Sequence, residues 1–163
     1  MRTQSCFVYF AYGSNLKLSE MRRTCPSANR KCKARLPNHR LIFPRESITR
    51  HCGVASVQPS LDHDVWGGVY FIAESERAKL EQREGYRPQR EKPNNSYVPE
   101  EVIVFEEGDP KKPLVILTFI AIPQSCPPLP SDEYKSLIIV GASEWNLDSS
   151  YLAELEKIET LKK

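Results

Sequence analysis

Apolar positions in the first two thirds of the chain gather into short β-branched and aromatic runs, and near the end they take a helical spacing. Phe7 to Tyr12 predicts a strand covered on both faces, broken by Gly13-Ser14-Asn15. Leu18 to Thr24 predicts a short helix that stops before Pro26. Arg30 to Arg35 and His39 to Phe43 read as strands, with a hairpin expected through Pro37-Asn38. Gly53 to Val57 and Val65 to Ile72 predict two more, the paired Gly67-Gly68 marking a bend where a sheet curls towards a barrel. Ser75 to Glu84 predicts a helix capped by Ser75 and closed by Gly85, followed by a Pro-, Asn- and charge-rich loop from Tyr86 to Ser96.

Val102 to Phe105 and Leu114 to Ile122 form a further expected hairpin, turning through Gly108-Asp109-Pro110. A helix starts at Ser131, with Asp132 and Glu133 in its first turn and Gly141 inside it or ending it. Ser149 to Leu161 predicts a last helix with Leu152, Leu155 and Ile158 on its packed side. Strands in the middle and helices at the end give an α+β class: one domain over residues 1–163, with a curled, mixed or antiparallel, barrel-like sheet.

Composition narrows the function classes. No apolar run is long enough to span a bilayer, and no signal-peptide pattern opens the chain, so a soluble, cytoplasmic protein is expected. Five cysteines without a CxxC pair suggest reduced thiols and no zinc site. A net charge of +2, with basic runs at Arg22-Arg23 and Arg30 to Arg35 but no recognition motif, argues against a nucleic-acid partner.

Two positions carry candidate chemistry. At Gly13-Ser14-Asn15, residues that tolerate positive φ follow a buried strand, so successive N–H groups can gather around a carboxylate or an oxyanion. Glu84 breaks a rule, because a carboxylate at a helix C-terminus is disfavoured by the dipole. Leu80, one turn earlier, is the one large apolar residue of that helix and marks its inward side. Glu84 is therefore expected to point inward with a raised pKa, its alternative being an exposed glutamate paired with Lys79, Arg83 or Arg87.

The string Phe10-Ala11-Tyr12-Gly13-Ser14-Asn15-Leu16 resembles the signature of the gamma-glutamylcyclotransferase family, and Leu80 to Tyr86 resembles its second motif. Similarity extends through Gly53-Val54-Ala55, Val65-Trp66-Gly67, Tyr134-Lys135 and Gly141-Ala142. The resemblance implies a small barrel-like fold and a reaction without cofactor or metal, in which a gamma-glutamyl compound cyclises to 5-oxoproline and expels its amino acid. It implies Glu84 as catalytic acid/base, Glu81 as a neighbour outside the chemistry, and Tyr9, Phe10, Ala11, Tyr12, Gly13, Ser14, Asn15 and Tyr134 as substrate-binding residues. It also makes a homodimer an expectation. Arg87 and Arg90 of the 86–96 loop are candidates for drawing in an anionic substrate.

Three rivals stand beside this reading. The same fold could act on gamma-glutamylamines or a gamma-glutamyl acyl metabolite, whereas the glutathione-specific branch usually carries Leu where this chain has Asn15. A non-catalytic anion-binding module would gain nothing from an inward carboxylate. The adjacent His51 and Cys52 suggest a thiol hydrolase, but neighbours on a strand point to opposite faces.

Overall fold

In the computed structural model, residues 3–162 are described, and their strands close into one barrel. The strands are β1 (Cys6–Ala11), β2 (Asn29–Ser47), β3 (Cys52–Ala73), β4 (Tyr97–Glu106) and β5 (Pro113–Ala121), ordered β1-β3-β2-β4-β5. Neighbours run antiparallel except β1 and β5, whose parallel contact at Tyr9 and Leu117 closes the ring. Phe10, Ala34, Val69, Tyr70, Ile72 and Val104 are fully buried within the core. Helices α1 (Leu18–Thr24), α2 (Arg77–Arg83), α3 (Asp132–Glu144) and α4 (Ser149–Glu156) lie outside the sheet's sequence of pairings. Among the described residues no helix is long and apolar enough to cross a membrane.

The expected break at Pro37-Asn38 is a bulge instead of a hairpin. Asn38 takes φ 54 while β2 runs on unbroken to Ser47. Opposite it, residues 60–63 of β3 loop out, and the Asp62 N–H donates to the Asn38 side-chain oxygen at 3.3 Å. The two predicted strand pairs thus merge into one long bent ribbon whose turn lies at residues 48–51. Three register shifts along it supply the curl. Beyond the register of β1, the free side of β3 is satisfied by side chains. The Ala55 N–H donates to the Tyr134 hydroxyl at 3.0 Å, and the Tyr97 hydroxyl donates to the Ala55 carbonyl at 2.6 Å.

Helix boundaries also differ from expectation. Ser75 does not cap α2; a 3-10 turn at Glu74–Glu76 precedes it, with Arg77 clamped on Glu74 at 2.8 Å. Helix α4 ends at Glu156, before the expected Leu161, because Lys135 Nζ donates to the Glu156 and Ile158 carbonyls. In α3 the Ser131 hydroxyl accepts the Tyr134 N–H at 3.0 Å, so Ser131 caps the helix from just outside it, and Gly141 lies inside the helix. A side chain there would strike Leu16 and the Lys17 nitrogen at 2.5–2.7 Å, so its absence lets α3 press on the turn after β1.

Candidate active site

The turn after β1 is fixed from outside by aromatic donors. Ser14–Leu16 forms a single 3-10 turn before α1. Tyr70 donates its hydroxyl to the Asn15 and Leu16 carbonyls at 2.8 and 3.0 Å, and Trp145 Nε1 donates to the Leu16 carbonyl at 2.8 Å. Gly68 makes room for that indole, since a Cβ would sit 2.3–2.7 Å from it. Gly13 has φ −111, so the expected left-handed conformation is not adopted. Its missing side chain matters for space, because a Cβ would lie 3.2 Å from Ala55 Cβ and 3.4 Å from the Tyr134 hydroxyl. The first N–H groups of a helical turn have no partner within it, which leaves donors at this bend.

Glu84 reaches the same place from α2. Leu80 is fully buried and turns the helix end inward, as its lone large apolar residue predicts. The end itself is a Schellman motif: the Gly85 N–H donates to the Gln82 carbonyl at 3.1 Å and the Tyr86 N–H to the Glu81 carbonyl at 2.9 Å. Gly85 takes φ 68, a conformation that favours glycine, and a Cβ there would lie 2.8 Å from the Ser96 side chain. Its carbonyl accepts the Ser96 N–H at 3.1 Å, tying the two ends of the 86–96 loop together.

Across the site, Asn15 Nδ2 donates to Glu84 Oε1 at 3.3 Å and to the Tyr9 hydroxyl at 3.2 Å. Glu84 is half-buried, lining a cavity of about 690 Å³. Burial pushes its carboxyl up to about 7, against the opposing pull of Arg83, the Asn15 bond and Arg50. Burial, followed by the Glu84 charge, also holds Tyr9 and Tyr12 well above the ordinary phenol range, and burial raises Tyr134 to about 12. These phenols stay protonated near neutral pH, and Tyr12 donates to the Phe119 carbonyl. The arrangement sets one carboxyl poised for proton transfer beside neutral donors.

Of the residues predicted for the site, Tyr9, Tyr12, Gly13, Ser14, Asn15, Glu84 and Tyr134 share this cavity. Phe10 and Ala11 do not line it; both are fully buried, packed where Gly67 leaves room for them. Arg87 and Arg90 face a separate shallow depression with Glu81 and Tyr86, outside the cavity. Its cationic wall is instead Arg23, Arg45, Arg50 and Arg83. Sequence reasoning missed Arg50 and its partner Glu20, whose carboxylate lies 3.3 Å from Arg50 Nη2 and 3.2 Å from Arg23 Nη1. Glu20 is buried on α1 beside exposed Arg22 and Arg23, a burial that only the fold reveals, so no local sequence signal marked the pair. His51 is exposed in the turn while Cys52 is buried, so the pair forms no dyad.

A closed barrel with a carboxyl enclosed beside a small-residue bend defines a class of small-molecule enzyme cavity. The chain belongs to the family described as gamma-glutamyl cyclotransferase, AIG2-like, whose profile matches residues 9–147. It is 33% identical over 161 residues to a gamma-glutamylcyclotransferase of Homo sapiens, covering 96% of this chain and 80% of that protein. A Bos taurus protein of the same name is 35% identical over 159 residues, covering 94% and 79%. A solved structure of a gamma-glutamyl cyclotransferase superposes with a TM-score of 0.86 at 31% identity, covering 98% of this chain and 91% of that one.

Proposed function

We propose that the protein is a gamma-glutamylcyclotransferase that converts gamma-glutamyl amino acids to 5-oxoproline and the free amino acid. The observation that carries this reading is the Glu84 carboxyl, raised to about 7 and 3.3 Å from Asn15, within one cavity with the Gly13 bend.

The substrate contains its own nucleophile. Glu84 takes a proton from the α-ammonium group, and the freed amine nitrogen attacks the γ-carbonyl carbon. The new C–N bond closes a five-membered ring and the carbonyl becomes an oxyanion. When the oxyanion collapses, the original amide C–N bond breaks, Glu84 returns its proton to the leaving nitrogen, and the second proton of the ring nitrogen passes to the released amine, leaving a neutral lactam and an ammonium. No water is consumed. Holding the folded conformer accounts for about 7–11 kcal/mol in comparable intramolecular reactions, and a positioned acid/base for a further 10²–10⁴-fold or so. Donors at the Gly13 bend, with the neutral phenols of Tyr9 and Tyr134, would serve the substrate's α-carboxylate or the oxyanion.

Incubation with gamma-glutamyl-alanine should release 5-oxoproline and alanine, read by mass spectrometry; release of glutamate instead would identify a hydrolase. Five unpaired cysteines fit a cytoplasmic location, which cell fractionation checks, and a homodimer is checked by sedimentation.

A further inference from the structure

The cavity extends beyond the reacting group. Besides Asn15, Glu84 and the Gly13 bend, its lining includes residues 45–50, the end of β2 and the start of the turn to β3. Tyr134 links the Gly13 bend to this wall, its hydroxyl against Gly13 and Ala55 and its ring under a guanidinium. That guanidinium is Arg50, with Cζ 5.2 Å from the ring centroid and Nη2 on Glu20 Oε2 at 3.3 Å.

The four cations of the wall are not equivalent. The Arg23 side chain is 68% exposed and is used on Glu20. Arg83 points to Thr24 at 3.4 Å, and Arg45 donates Nη1 to the Ile122 carbonyl at 3.0 Å. Arg50 is 25% exposed and is gripped from two sides, by the Glu20 carboxylate and the Tyr134 ring. An arginine has five donors in a rigid fork. The Glu20 bond uses one of Arg50's, leaving a held cation with spare donors on the cavity wall.

Resting on the function proposed above, we infer that Arg50 binds the carboxylate of the amino acid that leaves, and so selects gamma-glutamyl amino acids over gamma-glutamylamines. With the γ-carbonyl next to Glu84, Arg50 shares the cavity with the departing part of the substrate, whose free carboxylate is the group an arginine fork recognises. Glu20 is the positioning residue, fixing the fork through Arg50 Nη2.

The test compares kcat/KM for gamma-glutamyl-alanine, gamma-glutamyl-alaninamide and gamma-glutamyl-propylamine, by 5-oxoproline release. The wild type is expected to prefer the acid by about tenfold to a hundredfold, the range of a charge-assisted hydrogen bond. In Arg50→Gln that preference should collapse towards unity, mainly through KM, and Arg50→Lys, which keeps a charge beside Glu20, should restore part of it. Equal wild-type rates on acid and amide, or a preference that survives in a folded Arg50→Gln protein, would overturn the role of Arg50 while leaving the cyclisation intact. Failure of all three compounds to give 5-oxoproline would instead overturn the function itself.

Discussion

Asn15 and Glu84 are 69 positions apart in sequence, yet Nδ2 of one donates to Oε1 of the other at 3.3 Å. The bond joins the bend after β1 to the end of α2, and the same amide donor reaches the Tyr9 hydroxyl at 3.2 Å. Asn15 thus sets where the carboxylate points. Replacing Glu84 with Gln keeps size and an oxygen that can accept from Asn15, but removes the proton carrier. Glu84→Gln is expected to fold, by circular dichroism and thermal melting, and to lose about 10²–10⁴-fold in 5-oxoproline formation. Undiminished turnover in that variant would exclude Glu84 from the chemistry.

The raised carboxyl has a consequence for stability. An ordinary glutamate ionises near 4.5, whereas Glu84 in the fold ionises at about 7. Below 4.5 it is protonated folded and unfolded alike, and no difference arises. Between those values the unfolded chain ionises first, so unfolding releases a proton and rising pH favours it. Above about 7 the burial cost is present in full, at about 1–3 kcal/mol after allowance for solvent at the cavity mouth. Denaturant titrations should therefore show Glu84→Gln gaining stability relative to wild type between pH 5 and pH 8. The wild-type kcat/KM should rise through an acidic limb near neutrality as the base form appears. A difference that stays flat across this range would mean the carboxyl is not raised.

Asn15 lowers the Glu84 pKa by donating to its charged form. Asn15→Leu removes that donor and leaves the Tyr9 hydroxyl without the amide. The acidic limb of kcat/KM should then move to higher pH, and activity near neutrality should fall by about tenfold to a hundredfold. A limb that stays in place would show that the contact has no bearing on the proton.

Much of this fold could be read along the chain. The β-branched and aromatic runs and the turn residues marked part of each of the five strands, and Gly85 after Glu84 marked the helix end where the carboxyl turns inward. Pro37-Asn38 misled because Asn supports positive φ equally in a hairpin turn and in a bulge; only pairing with β3 decides between them. Phe10 and Ala11 sit in the motif string for packing, a role that its composition does not separate from binding. Arg50 was invisible for a different reason. Its meaning comes from Glu20 on α1 and Tyr134 on α3, contacts that no local pattern encodes.

The bend after β1 owes its position to Gly68 as much as to its own residues. A Cβ at position 68 would sit 2.3–2.7 Å from the Trp145 ring, which is held edge-on to Tyr70 with centroids 5.1 Å apart. Both aromatics donate to the Leu16 carbonyl, so moving the indole loosens the turn that carries Asn15. Gly68→Ala should cost about 1–3 kcal/mol of stability by overpacking, seen as a lower Tm. Because Asn15 orients Glu84, the variant should also lose kcat beyond any loss explained by unfolded protein at the assay temperature. Full kcat alongside a lowered Tm would separate the aromatic clamp from the geometry of the carboxyl, and leave it a role in stability alone.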